Sequence, residues 1–341
     1  MSLSKKILRI FAVMLLLLLA VLLLNTFTYS SKQLHPQPSA PLQINLSEAV
    51  ERFSGGLQFK TISKRETTHQ NDEAFFGFHD YLVKQYPLIH QQLKKEVLNK
   101  YDLFYTLSGT NPSLDPIILM AHYDVAPVAS ATIANWSHPP FAGHVSDGYI
   151  WGRGTLDMKG TLFSEMEAME KLLQQGFSPK RTIHLIFGHD EEVGGKMGNK
   201  KISAMLKKKG IHAYLILDEG LPIVKGMIPG VDNSVAMIGI AEKGYLSLGL
   251  TVHGKGGHSS TPPDNTAIGV LSAAISKIEK NPLPSELKGA AQDMFNFIGP
   301  ELHFMKRLVF ANQWLFSSMI AKQLATTDGG KAFLKTTTAV T

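Results

Sequence analysis

The 341-residue sequence has no cysteine at all. Disulfides and thiolate-bound zinc are thereby excluded, and any metal must be held by His, Asp and Glu. Charge is also modest: 18% of residues are charged against 44% hydrophobic, an ordinary balance for a globular protein with a sizeable core. The net charge of +6 comes in good part from lysines such as Lys200, Lys201, Lys207, Lys208 and Lys209, a solvated helix face. No basic run is interleaved with aromatics, so nucleic acid is not an expected partner. Internal repeats are absent too, and length alone suggests two domains.

What is present begins with an apolar segment. Lys5, Lys6 and Arg9 precede a leucine-dominated run from Ile10 to Leu24, about 15 residues long, or nearer 20 if Phe27 and Tyr29 sit at an interface. Asn25, Thr26, Thr28 and Ser30 follow. A run with no polar face does not suit a globular surface. Residues 1–30 therefore read as a transmembrane signal anchor, favoured over a cleaved signal peptide because no clear small-x-small site follows Leu24. The basic flank places the remainder on the exported side, periplasmic, luminal or extracellular, and secreted if the segment is cleaved. Residues 31–45, polar and proline-rich, read as a linker.

From residue 46 to 241 strands alternate with helices. Ile117–Met120, Tyr149–Trp151, Thr182–Phe187 and Ala213–Leu217 read as strands; Asp72–Gln85, Thr161–Gln175 and Ile202–Lys209 read as helices. On the Thr161–Gln175 helix Leu162, Met166, Met169 and Leu173 share a face. The fold class is α/β, with a mostly parallel sheet covered by helices. Near Glu242 the pattern changes. Tyr245–Val252 alternates apolar and small residues like a half-exposed strand, and a helix is expected over about 265–280. Residues 242–341 read as a smaller α+β domain.

Four short segments carry the chemistry: Met120-Ala121-His122-Tyr123-Asp124-Val125, Gly152-Arg153-Gly154-Thr155-Leu156-Asp157-Met158-Lys159-Gly160, Gly188-His189-Asp190-Glu191-Glu192 and Leu217-Asp218-Glu219-Gly220. Each follows or ends a predicted strand, the edge at which open α/β sheets bind ligands. Asp157, Glu191, Glu192 and Asp218 cannot all stay ionised in one crevice without a cation. Hard oxygens with one histidine suit zinc, with cobalt or manganese as alternatives. In a His-x-Asp pair the acid fixes the ring's tautomer, so His122 reads as a ligand and Asp124 as its support. Of the adjacent Glu191 and Glu192, one can bind metal while the other stays free as a base. Singly, each segment has a bland reading: a solvated Glu-Glu pair, a helix-capping Asp218, glycines serving turns. Four coincidences in this order are hard to sustain.

Together the segments resemble the metallopeptidase family of carboxypeptidase S, aminoacylase, glutamate carboxypeptidase and succinyl-diaminopimelate desuccinylase. They are closest to its carboxypeptidase S and N-acyl-amino-acid hydrolase branch. The resemblance runs from about Leu46 to the last residue. It implies a zinc-exopeptidase-like fold with an inserted lid domain and a site for two zinc ions. His122 and Asp218 would bind one zinc, Glu192 the other, and Asp157 both. Glu191 would be the general base, with Asp124 supporting His122. Gly256-Gly257-His258-Ser259-Ser260 would bring His258 to the substrate, across a homodimer formed through the lid. A cis peptide is implied at Asp157-Met158. The implied substrate is a small peptide or an N-acyl amino acid with a free carboxylate.

The sequence departs from that pattern at its end, Thr336-Thr337-Thr338-Ala339-Val340-Thr341, where a lid strand is only beginning. The expectation is an incomplete lid, an incomplete second zinc site without its distant histidine, and weak hydrolysis by the chain as it stands. Two other readings stay open: an aminopeptidase of related fold, and a catalytically silent membrane-tethered binding protein.

Overall fold

Strand pairing sets the architecture. The computed structural model describes residues 3–34, 40–65, 71–226, 228 and 230–341, in two units: residues 38–219, and residues 1–37 together with 220–341. Part of the expected 31–45 linker, residues 35–39, lies outside the described residues. Helix α1 (Leu3–Thr28) belongs to the discontinuous unit.

The 38–219 unit contains α2 (Leu46–Leu57), α3 (Asp72–Gln85), α4 (Pro87–Gln92), β1 (Lys94–Leu98), β2 (Asp102–Leu107), β3 (Ile117–His122), β4 (His144–Ser146), β5 (Tyr149–Trp151), α5 (Lys159–Gln174), β6 (Ile183–Gly188), α6 (Asn199–Lys208) and β7 (Leu215–Leu217). Five strands form one sheet in the order β1-β2-β6-β3-β7. The β6–β3 and β3–β7 pairs are parallel, whereas β1–β2 and β2–β6 are antiparallel. The sheet is therefore evenly mixed, not mostly parallel as the sequence suggested. The difference is the β1–β2 hairpin, which turns through Asn99 (φ 50°) and Lys100 (φ 77°). Its outer strand buries no residue fully, so no period-2 apolar pattern betrays it.

Helices cover both faces. On one, Phe75, Phe78 and Leu82 of α3 and Leu162, Phe163 and Met166 of α5 pack on Leu103, Tyr105, Leu185 and Phe187. On the other, Ile202 of α6 meets Phe104, Ile118 and Ile186. Several polar groups inside this core are partnered. The Arg52 guanidinium holds Glu167 through two hydrogen bonds (2.6 and 2.8 Å), and the Tyr86 hydroxyl donates to the same carboxylate at 2.9 Å. Glu170 accepts the Leu88 and Ile89 N–H groups, both at 2.9 Å, and so closes the start of α4. Lys159 is fully buried; its Nζ donates to the carbonyls of Gly56 (3.1 Å) and Phe59 (2.8 Å), and burial lowers its pKa to about 7.

His79 gives this core a pH dependence. Its Nε2 lies 2.9 Å from the Tyr123 hydroxyl, which donates to the Tyr101 carbonyl at 2.7 Å. Burial, with Lys95 nearby, lowers His79 to about 4. The unfolded chain thus takes up this proton first, so the neutral ring's contribution is fully present above the ordinary imidazole pKa and is lost as pH falls toward about 4. Lowering the pH from about 7.5 to about 5 should remove roughly 2 kcal/mol through this group alone. Urea unfolding at the two pH values checks it: His79→Gln should shrink the difference, and an unchanged difference would assign the acid sensitivity to other groups.

In the other unit, β8 (Ile223–Val224) and β9 (Val235–Ala236) form a short antiparallel pair. Five helices follow: α7 (Ala267–Lys280), α8 (Ala290–Ile298), α9 (Phe304–Ala311), α10 (Gln313–Leu324) and α11 (Asp328–Leu334). Thr266 and Thr327 cap α7 and α11 with their hydroxyls. The strand expected at Tyr245–Val252 is not formed, and Tyr245, Leu246 and Leu248 are largely exposed. A one-faced strand needs hydrogen-bonded neighbours, and the described residues supply none beside it. The two units divide after Glu219.

Candidate metal centre

Adjacent parallel strands β6, β3 and β7 bring the acidic segments together at their carboxyl ends. His122 closes β3, Glu191 and Glu192 begin a 3₁₀ turn just after β6, and Asp218 and Glu219 follow β7. Asp157 precedes α5, joined to Met158 by a cis peptide. Its approach depends on Gly154, whose φ of +83° suits glycine and where a Cβ would stand 2.7 Å from Val125 Cγ1.

His122 is the buried centre, its side chain 2% exposed. Its Nδ1 faces the Asp124 backbone carbonyl at 3.0 Å and the Asp124 carboxylate at 3.3 Å. Nε2 points the other way, 3.0 Å from Asp157 Oδ1, 3.5 Å from Glu219 Oε2 and 3.8 Å from Glu191 Oε2. One atom each from His122, Asp157 and Glu219 lie within 4.8 Å of one another, the spread expected of donors that share one ion.

Asp124 is fully buried and ties three segments together. Its carboxylate accepts the N–H of Glu191 (3.2 Å), the N–H of Glu192 (3.1 Å) and the Ser63 hydroxyl (2.6 Å). The Ala126 N–H in turn donates to Glu192 Oε1 at 2.9 Å. Behind this layer Asp102 Oδ1 lies 2.6 Å from His189 Nδ1 and accepts the His189 N–H at 3.2 Å. Asp190 accepts the N–H groups of Met197 and Gly198 at 2.7 and 3.0 Å. The turn carrying Glu191 and Glu192 is thus fixed at both ends, while their side chains reach toward solvent.

Electrostatics follow from this crowding. Burial raises Glu191 to about 6; His122 opposes the shift and Glu219 adds to it. Burial and the charge of Asp157 raise Glu192 as well. At His122 burial works against the imidazolium, but the hydrogen bond and charge of Asp124, with Glu191, outweigh it and raise the ring to about 10. These directions describe acids with only one imidazole to balance them. A divalent cation between Nε2 and the oxygens would relieve the same repulsion. The donor set of one imidazole and several carboxylates, without thiolate, fits such an ion.

The structure brings His122, Asp124, Asp157, Glu191 and Glu192 together. Asp218, a ligand by the resemblance, is exposed, and its Oδ1 accepts the Glu219 N–H at 2.8 Å. It is Glu219 that faces His122. The two are neighbours at a strand end, where successive side chains leave on opposite sides, so a one-residue uncertainty exchanges them. Asp218 instead bears on Glu165, whose carboxyl burial raises to about 8. Ser63 was also missed: it stands 61 residues from Asp124 with no motif around it. His258 lies in the other unit, in an exposed loop where its Nδ1 sits 2.8 Å from the Ser260 hydroxyl.

A mixed sheet that carries a histidine-anchored acid cluster beyond its parallel strands defines an α/β protein equipped to hold a divalent cation. Comparison gives the family. The description of Peptidase family M20/M25/M40 matches residues 118–309. Probable carboxypeptidase S-like 2 of Dictyostelium discoideum is 41% identical, over 95% of this chain and 64% of its own length. N-fatty-acyl-amino acid synthase/hydrolase PM20D1 of Xenopus tropicalis is 37% identical, over 97% of this chain and 65% of its own. Carboxypeptidase S of Saccharomyces cerevisiae is 39% identical, over 71% of this chain and 43% of its own. The chain belongs to Peptidase family M20/M25/M40, and it spans just under two thirds of the first two relatives.

Proposed function

We propose that this chain carries the metal site of a zinc-dependent amidohydrolase acting on N-acyl amino acids or small peptides with a free carboxylate. The observation that carries the reading is the convergence of Asp157, Glu191 and Glu219 around the buried, oriented ring of His122, with the neighbouring Glu192 held by the Ala126 N–H. Two relatives bear names that include N-fatty-acyl-amino acid hydrolysis and carboxypeptidase S, which supports the substrate class.

His122, Asp157 and Glu192 would hold zinc together with an acid after β7. Glu219 is the candidate by position and Asp218 by resemblance; whichever alanine variant loses metal identifies the ligand. Bound zinc would polarise the scissile carbonyl and make water a better nucleophile. The chain's own contribution is to hold the donors in place and to move a proton. Asp124 keeps the His122 Nδ1 side engaged, which leaves Nε2 free to donate its lone pair. Glu191, exposed enough to meet substrate and held by its own backbone N–H, would take a proton from the attacking water and pass it to the leaving amine. His258 would assist at the substrate, and the lid would pair two copies.

The test is hydrolysis of an N-acyl amino acid beside its carboxyl-methylated form. Activity on the free acid, lost with a chelator and restored by zinc, is the expected result. Cleavage of the methylated form at an equal rate would point to an aminopeptidase-like preference. Zinc bound without turnover on either would favour a silent binding protein.

We further propose that α1, a helix long and apolar enough to cross a membrane, anchors the chain uncleaved with the other residues on the exported side. Resistance to alkaline carbonate extraction is expected. Soluble protein beginning near Ser31 would show cleavage instead.

A further inference from the structure

The last turns of α1 do not end free. The Asn25 side chain donates to Asn312 Oδ1 at 2.8 Å, and Asn312 Nδ2 donates back to the Leu22 carbonyl at 3.1 Å. The Tyr29 hydroxyl donates to the Phe295 carbonyl (2.8 Å), and Arg307 Nη2 donates to the Tyr29 carbonyl (2.6 Å). Phe27 meets Phe304 with ring centroids 6.1 Å apart. Asn312 and Thr26 are essentially buried by these contacts, at 0% and 1% exposure. Helix α9, with Asn312 at the α9–α10 junction, thus holds the end of α1 where its apolar run gives way to Asn25, Thr26 and Thr28, and α8 holds Tyr29 just beyond it.

Around that junction α8, α9 and α10 carry large apolar side chains that are exposed. Phe297, Phe304, Met305, Trp314, Leu315 and Met319 are between 43% and 70% exposed. The Trp314 indole N–H donates to Asn312 Oδ1 at 3.3 Å, which places the ring beside the α1 junction. Lys32 lies over the Phe297 ring at 5.9 Å, and Lys306 and Arg307 share α9. Aromatic rings and methionines mixed with basic residues are the composition of a surface seated among lipid headgroups.

The register of α1 gives a second reason. From Ile10 to its end at Thr28 the uncharged helix rises about 28 Å, close to the roughly 30 Å of hydrocarbon. With Lys5, Lys6 and Arg9 at one interface, Asn25 to Thr28 reach the other. There Asn25 donates to Asn312 and Asn312 donates in turn to the Leu22 carbonyl, and partnering within the protein is how polar groups are tolerated below the headgroups.

We propose that α8–α10 form a membrane-seated platform: their exposed apolar face sinks into the outer interface around the end of α1 and takes a lipid bilayer as its partner. The proposal rests on the anchor reading of α1. The platform fixes residues 290–324 against the bilayer, in addition to tethering them.

The absence of native cysteine makes a direct test available. Single Met305→Cys, Met319→Cys, Leu16→Cys and Tyr149→Cys variants of the full chain are spin-labelled in phosphatidylcholine and phosphatidylserine vesicles. Collision with oxygen, which favours lipid, is compared with collision with a water-soluble nickel chelate. Leu16 reports the anchor, and Tyr149, in the other unit, reports water. The expected result is an oxygen-to-nickel ratio at Met305 and Met319 several-fold above that at Tyr149 and below that at Leu16. Ratios equal to Tyr149 with Leu16 in lipid overturn the platform and leave the anchor standing. A water-exposed Leu16 overturns both. Labels at Met305 shielded from both reagents and dipolar-broadened assign the face to a second copy of the chain, and the platform falls.

Discussion

Glu191→Gln should reduce amide hydrolysis by roughly 10²–10⁴-fold while bound zinc stays within error of the parent. The side chain lies 3.8 Å from His122 Nε2, farther than Asp157 or Glu219, and its backbone N–H is already engaged by Asp124. Removing its charge therefore leaves the turn in place. Burial raises this carboxyl to about 6 in the metal-free site and a bound cation would draw it down again, so its carboxylate is the working form and is lost on the acid side. The parent's kcat/KM should decline on the acid side in step with that protonation, and the variant's residual rate should lack the decline. Turnover on an N-acyl amino acid beside metal analysis decides the matter. If Glu191→Gln also loses zinc while Glu192→Gln keeps it, the two acids have exchanged roles.

Asp124→Ala should be the most damaging change for metal and for stability together. It leaves the N–H groups of Glu191 and Glu192 without their acceptor, frees Ser63, and removes the carboxylate beside His122 Nδ1. Buried donors stripped of a charged acceptor cost about 1–3 kcal/mol each, so a loss of roughly 3–5 kcal/mol is expected. Metal affinity should fall on the order of 10- to 100-fold, as when a ligand's supporting acid is removed. Equilibrium dialysis against zinc and urea unfolding read the two effects separately. Asp124→Asn keeps one oxygen acceptor and should fall between. An alanine variant with parental zinc affinity would show that the backbone carbonyl, 3.0 Å from His122 Nδ1, orients the ring unaided.

The segments of the candidate site that depend on local chemistry were legible in the sequence. His122, Asp157 and the Glu191–Glu192 pair each stand in short segments after strands whose apolar runs are plain. The interior strands and α5 were legible for the same reason: Leu162, Met166, Met169 and Leu173 are all buried as their spacing implies. Long-range geometry was not legible. β1 pairs at the sheet margin without a buried face, so its charges concealed it. Ser63 reaches Asp124 only because the segment carrying Thr61 runs beside Tyr123–Val125, with the Val125 N–H donating to the Thr61 carbonyl at 2.9 Å. Asp218 and Glu219 differ only by which side of a strand end each leaves from. Tyr245–Val252 shows the converse: an alternating pattern is permission to form a strand, and pairing depends on a neighbour.

The Asp124 carboxylate also fixes when this site can come into being. Its three partners stand 61, 67 and 68 residues away along the chain. The β3–β6 pairing, from Ile117 opposite Ile183 to His122 opposite Gly188, closes loops of the same length, so the donor cluster shares its closure entropy with the sheet and assembles along with it. Zinc arriving early would meet scattered acids, whereas zinc arriving late meets a finished cradle. If the chain is threaded unfolded across a bilayer, the ion must be taken up on the far side, and the metal supply of that compartment governs how much of the protein becomes loaded.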